Sequence, residues 1–476
     1  MPNPLRRLSL ALKLTKPYHP HAAPDATTLA QFLTTTKAKY LSDIRETPGK
    51  GGEWTVVMGN EAGDLDSVAS AIAYAWIQSE IHKKPTVPLI QTERDDLSLR
   101  TENLYALGLA GLDNPKEQLL TITDLAEIKP FPSHQLALVD HNRLGSSFTV
   151  NNPDSQVVAV VDHHEDEGLY KDTANPRIIV PAGSCASHVA GLATAEVPAE
   201  LATLLLCAIL IDTGGLKAGG KALQVDYHAA GFISTRSTFA PSLPNKLSAF
   251  LKDDPHTKAE ALADADAIKD LSKTLSNKKS DLSHLGGWDL LRRDYKQYTY
   301  TPAWAAGTPA IEAGLSTVPV ALEAWGKDGK LEEAAKDWMK HRNITILGVL
   351  TSFRDGSKPG KSGKGKHRRE LTWFVREDSE NNSGLDVKEL EKRLWKGLEE
   401  SKELKLKKHK KFDLEKGGKL AAGTTARAYQ QGNADANRKV IAPLLKTIVE
   451  GEAIDEVSEA TPDAEDAPPA EAAEQK

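Results

Sequence analysis

The chain has 476 residues, more than one ordinary core holds, so two domains with tails are expected. Apolar residues make up 40% and charged residues 26%, as in a soluble globular protein, and no apolar run approaches the roughly 18 residues of a membrane span. The formal charge of −6 is uneven: residues 451–476 hold nine acids and one lysine, a net of −8, which leaves +2 for the rest.

Residues 1–26 contain two arginines and two lysines, and no acid before Asp25. That faintly resembles a mitochondrial presequence, but the early prolines and the short LSLAL block favour a flexible arm. From 27 to 240 the pattern alternates. WTVVMG, TVPLIQ, QLALVD, VVAVVD and RIIV read as strands. Helical stretches lie among them, such as 66–78, where Val68, Ile72, Ala75 and Trp76 recur at helical spacing. This predicts an α/β fold with a mostly parallel sheet and helices on both faces. Cys185 and Cys207 cannot build a disulfide framework and fit a reducing compartment, so a cytoplasmic location is expected.

Residues 241–285, including HTKAEALADADAIKDLSKTLSNKKSDL, read as a helical linker. A smaller α/β domain is expected over 286–450. Its strands are ITILGVLTSF and ELTWFVRED, and its helices are DVKELEKRLWKGLEESKEL and the NRKVIAPLLKTIVE region. The tail 451–476 is rich in Ala, Pro and acid, has little to bury and is expected to be disordered.

Chemistry-bearing residues recur where four apolar segments run out. Asn60, Asp64 and Asp66 follow WTVVMG, Asp140 ends LALVD, Asp162-His163-His164 ends VVAVV, and Asp212 ends LATLLLCAILI. Open α/β folds bind ligands at the C-terminal lip of the sheet. Asp64 and Asp66, two apart in a loop that opens a helix, can point at one centre, and hard divalent cations prefer such oxygens. The bland alternative for Asp66 is a helix N-cap. Asp140 alone reads as a turn former, yet one shared carboxylate is what a two-metal site needs. Of the tandem histidines, one can ligate an ion while the other reaches a substrate oxygen, with Asp162 orienting an imidazole. Asp212 sits at the unfavourable negative end of a helix dipole, a cost that a neighbouring cation would offset. Gly183-Ser184 offers either a phosphate site at a helix N-terminus or a simple cap.

GNEAGDLDS, the DHN at Asp140, the DHH at Asp162 and the later Asp212 together resemble the DHH phosphoesterase superfamily. Family II inorganic pyrophosphatases carry histidine where Asn60 stands. The GNE-x-x-D-x-DS form is similar to the eukaryotic exopolyphosphatase and prune-like branch, above all the fungal exopolyphosphatases. In the second block RRDYK at 292–296, IEAGLSTVP and ANRKVIAPLL resemble the C-terminal domain of pyrophosphatases and exopolyphosphatases. Asn437 stands where that pattern has a serine. The Gly-Gly-His signature of the nuclease members is absent, Gly286-Gly287 being followed by Trp288.

The resemblance implies two divalent cations, Mg²⁺ or Mn²⁺, in a cleft between the domains. Asp64, Asp66, Asp140, His163 and Asp212 would hold them, with Asp140 bridging and Asn60 a weak ligand. Asp140, His163 and His164 would carry catalysis, and His164, Lys296, Arg438 and Lys439 would bind the substrate. The implied activity is exopolyphosphatase, acting on the end of inorganic polyphosphate, with no nucleic-acid or membrane partner expected. The alternatives are a prune-like phosphodiesterase or short-chain polyphosphatase, and a non-catalytic regulatory binding protein. Two basic runs, 357–369 and 402–411, suit a polyanion, with a solvated loop or helix face as the plainer alternative. The first is one residue short of a P-loop, so a nucleotide-kinase reading is rejected.

Overall fold

The computed structural model describes residues 27–451 apart from 48, 194–195, 254–258, 306, 308–309, 358–364, 378–383 and 416–418. The N-terminal arm, the acidic tail beyond Gly451 and most of the first basic run lie outside the described residues. The chain divides into two compact units. The first runs to Lys296 and includes Ser316–Pro319; the second takes Gln297–Leu315 and the chain from Val320 onward.

In the first unit, strands β1 (Thr55–Met58), β2 (Thr86–Ile90), β3 (Leu120–Thr121), β4 (Gln135–Val139), β5 (Gln156–Asp162) and β6 (Arg177–Ile179) form one sheet. Their order is β3-β2-β1-β4-β5-β6, and every pair is parallel. A parallel sheet is covered on both faces, which is why its strands are continuous apolar runs. Alternate side chains feed two cores. Val57, Ala137, Val139, Ala159 and Val161 pack with the helices Leu65–Trp76, Cys185–Gly191 and Ala199–Thr213. Val56, Met58, Leu136, Leu138 and Val160 pack with Tyr40, Trp54 and Phe148. β3 has two residues, too few to display a period, and the sequence pattern missed it.

The helix Ala199–Thr213 is apolar all round and buried from Leu201 to Ile211, as a helix enclosed by other elements must be. It carries Asp212 inward with it. The stretch read as a linker contains the helix Asp266–Ser280, whose Ile268, Leu271 and Leu275 sit in the first core. Their spacing of three and four residues forms one apolar stripe.

The second sheet, most of it in the second unit, is built on strands β7 (Tyr295–Tyr300), β8 (Ile311–Val318), β9 (Ile346–Thr351), β10 (Phe353–Asp355), β11 (Lys366–Arg376), β12 (Leu406–Lys408) and β13 (Thr424–Gln431). The sheet order is β12-β13-β11-β9-β8-β7, with β10 paired to β11. β11 runs antiparallel to β9, β10 and β13. The helices Val387–Glu400 and Arg438–Glu450 supply Leu390, Leu394, Leu398, Ile441 and Leu445 to a core shared with Leu371, Trp373 and Val375. Asp386 caps the first of these helices through the Glu389 amide.

Gly59 ends β1 where the chain turns into the Leu65–Trp76 helix. A Cβ there would lie 2.6 Å from Ser67 Cβ and 2.7 Å from the Ser67 carbonyl oxygen. Backbone cannot retreat as a side-chain tip can, so Gly59→Ala is expected to cost about 1–3 kcal/mol. Urea unfolding measures this, and an unchanged midpoint would mean the turn shifts freely.

Candidate metal centre

Because β1, β4 and β5 are neighbours, their C-terminal ends deliver Asn60, Asp140 and Asp162 to one lip of the sheet. Asp140 has φ 61, a left-handed conformation that is uncommon outside glycine but tolerated by Asp. Its amide donates to the Val161 carbonyl at 3.0 Å, which ties the turn to β5. One Asp140 carboxylate oxygen, Oδ2, accepts from Ser67 Oγ at 2.5 Å and from Asn60 Nδ2 at 2.8 Å. The other, Oδ1, lies 3.2 Å from His163 Nε2.

His163 is fixed by its other nitrogen. Nδ1 donates to the Ala182 carbonyl at 2.9 Å, so in the neutral ring Nε2 carries the lone pair and faces Asp140 and, at 3.8 Å, Asp66. This is how a ligating imidazole is oriented. His164 stands edge-on to it, ring centroids 4.5 Å apart, with Nδ1 2.8 Å from Asp162 Oδ1. Asp162 also accepts from the His163 and His164 amides and, at 2.6 Å, from Asn142 Nδ2. Four donors satisfy that carboxylate and make it an orienting group. One atom from each of Asp140, Asp162, His163 and His164 falls within 4.8 Å of the others.

The helix start divides its acids differently from the alternative in which Asp66 is the cap. Asp64 is the N-cap, accepting from the Ser67 amide at 3.1 Å, while Asp66 turns inward. Asp66 accepts from Ser184 Oγ at 2.7 Å and from the Cys185 and Ala186 amides at 2.7 and 2.8 Å. The Gly183 and Ser184 amides go to Asp226. The helix start that sequence offered to a phosphate is thus filled by the protein's own carboxylates, and Ser184 makes no cap bond. Asn60 turns its amide oxygen to the Ala62 amide at 2.9 Å and its NH₂ to Asp140; in this arrangement it clamps Asp140. Arg100 and Asn103 hold the same loop through the Ala62 and Gly63 carbonyls.

Crowding governs the electrostatics. Asp66 is 1% exposed and Asp140 3%. Burial, then the charges of Asp140 and Asp212, push the Asp66 carboxyl well above the usual range. Burial also lifts Asp212 to about 6, although the Lys279 ammonium 3.4 Å away opposes this. Burial works against a charged His163, but the hydrogen bond to Asp140 and the charges of Asp66 and Asp140 prevail and push it up to about 10. For Asp162 burial is likewise outweighed, here by His164 and Asn142, and its carboxyl stays well below normal.

Crowded carboxylates, with Asp66 and Asp212 raised by burial and by neighbouring acids, beside an imidazole presenting its lone pair, form a donor set that fits Mg²⁺ or Mn²⁺. Sequence reasoning missed Lys279, 67 residues from its partner Asp212. It also missed Ser67 and Ser184 as donors to the acids; only the DxDS pattern hinted at Ser67. Lys296 belongs to the first unit and lies near enough to His141 to add to the burial that disfavours its protonation. Arg438 and Lys439 open a helix of the second unit, where Asn437 is the N-cap and accepts from the Lys439 amide at 2.8 Å.

Among known proteins, residues 54–209 match the model of the DHH family, N-terminal domain, and residues 273–448 match that of the DHHA2 domain. A Schizosaccharomyces pombe protein named "Putative exopolyphosphatase" is 29% identical over 63% of this chain and 74% of its own length. "Exopolyphosphatase PRUNE1" of Rattus norvegicus is 27% identical over 67% of this chain; the match takes in 64% of that protein, less than two thirds of it. An Enterococcus faecalis protein named "Probable manganese-dependent inorganic pyrophosphatase" is 28% identical over 33% of this chain and 47% of its own.

The shifts fix a sign for pH dependence. Asp66, Asp212 and His163 are all raised, so without metal the folded state binds more protons than the unfolded one. Their contribution is fully present below the unfolded pKa values and is lost through 3.8 to about 6 for Asp212 and 6.5 to about 10 for His163. Asp162, held low, acts only in stronger acid. In chelator, Tm should fall as pH rises from about 5 to about 9, and added Mn²⁺ should raise Tm more at about pH 8 than at about pH 5.5. Equal Mn²⁺-induced shifts at both pH values would contradict the assignment.

Proposed function

We propose that this chain, which belongs to the DHH family and carries a DHHA2 domain, is a metal-dependent phosphoesterase that removes terminal phosphate from inorganic polyphosphate. One observation carries the reading. His163 Nε2 points into a buried group of carboxylates that repel one another unless a cation sits among them. The relatives named exopolyphosphatase support the substrate class, and the relative named a manganese-dependent pyrophosphatase supports a divalent metal. A cytoplasmic location is part of this proposal.

Asp64, Asp66, Asp140, His163 and Asp212 are the proposed ligands of two cations, Mg²⁺ or Mn²⁺, with Asp140 shared. Bound there, the cations would acidify a water and draw charge from phosphoryl oxygens. The protein's own groups do the positioning. Ser67 and Asn60 hold Asp140 to one orientation, and the Ala182 carbonyl does the same for His163. Asp162 holds His164 through Nδ1, and its Nε2 is proposed to reach a phosphoryl oxygen. Lys296, Arg438 and Lys439 are proposed to neutralise further phosphoryl oxygens.

Asp140→Asn is expected to abolish Mn²⁺-dependent phosphate release while the far-UV spectrum is retained. Ser67→Ala, which removes only an orienting partner, should lose about 10–100-fold. Release is measured on long-chain polyphosphate, pyrophosphate and cyclic AMP in parallel. Turnover confined to cyclic AMP, or near-normal activity in Asp140→Asn, would overturn the reading.

A further inference from the structure

The apolar face of β11 changes character where the helix layer ends. Leu371, Trp373 and Val375 are buried under the Val387–Glu400 and Arg438–Glu450 helices. On the same face, two and four residues back from Leu371, come Arg369 and His367. Register pairs His367 with Arg354 on β10, so their side chains stand side by side. His367 Nε2 is 2.9 Å from Ser352 Oγ. Arg369 Nε donates at 2.7 Å to the Ala434 carbonyl, in the turn that leads into the Arg438–Glu450 helix. Arg354 Nη1 donates to the Gly365 carbonyl at 3.3 Å.

The two faces of this hairpin are charged differently. On the opposite face Arg368 meets Asp355 at 2.8 Å and Glu370 meets His409 at 3.0 Å. On this face, among the described residues, neither Arg354 nor Arg369 has a carboxylate within 4.0 Å. Asp435 is the acid whose charge reaches His367 and Arg369. Burial, Arg369 and Arg354 together lower the His367 pKa, a sign of how closely these groups crowd. Each guanidinium donates one N–H to a backbone carbonyl and keeps others, in the planar fork that matches phosphate oxygens.

We propose that the Arg354–His367–Arg369 face of the second unit binds the internal phosphates of a polyphosphate chain, away from its reacting end. This rests on the polyphosphatase reading for its ligand. Internal phosphates carry one negative charge each, and two guanidiniums on either side of His367, with no carboxylate within 4.0 Å among the described residues and only the more distant charge of Asp435, are stabilised by such a polyanion.

The test is direct binding of long-chain inorganic polyphosphate to the full chain in chelator, where turnover is suppressed, across a series of salt concentrations. Arg354→Gln with Arg369→Gln should weaken binding by about tenfold or more at low salt and flatten the dependence of affinity on salt. Asp435→Asn should tighten binding, an effect that misfolding does not imitate. Wild-type affinity and salt slope in the double variant overturn the site. Phosphate release from the wild type with Mn²⁺ is read in parallel and tests the function separately. If the wild type releases nothing while the double variant still loses binding, the activity reading fails and the anion site stands. If the wild type is active and the variant binds normally, the reverse holds.

Discussion

Negative charges held close together in a place with little water raise one another's energy, and the first unit concentrates them at the lip of its sheet. Asp66 and Asp140 are almost wholly buried, Asp212 lies within their field and Asp64 adds to it. The surrounding structure answers with donors. Two hydroxyls, a helix start and an asparagine amide hold the carboxylates in place, and the His163 and Lys279 side chains bring the available positive charge. The compensation is partial, as the raised carboxyl pKa values attest. A divalent cation completes it, so affinity for metal and stability of the fold are coupled through the same residues.

Much of this was legible in the sequence because the parallel sheet writes itself plainly. Strands buried on both faces become apolar runs, and the residue that ends each run falls on the ligand-binding lip; Asp140 and Asp162 could be placed this way. What the sequence pattern could not supply was partnership across long separations. The bond between Ser184 and Asp66 joins residues 118 apart, and nothing local marks it. Asp64 rather than Asp66 caps the helix, a difference of two positions that propensity does not resolve. The weak-ligand role of Asn60 is what the family resemblance implies; here its amide oxygen accepts from the Ala62 amide and its NH₂ donates to Asp140, partners that no local pattern marks.

The second unit was harder to read, for a physical reason. Its β11 carries basic residues at one end and core residues at the other, so alternation breaks where the helices stop covering it. β7 and β13 are mixed in burial and present no apolar run. Charge was the clearer signal. The basic cluster around 357–369 was visible as composition, and the β10–β11 register divides its described part into a neutralised face and a cationic one.

The claim on which the account rests is that the carboxylate–imidazole group is a divalent-metal site. Anomalous X-ray scattering from crystals grown with Mn²⁺ tests it most directly. Two manganese peaks are expected, both within bonding distance of Asp140, one beside His163 Nε2 and the other towards Asp212. Peaks that avoid Asp140, or an ion bound at Asp162 in place of its four hydrogen-bond donors, would contradict it.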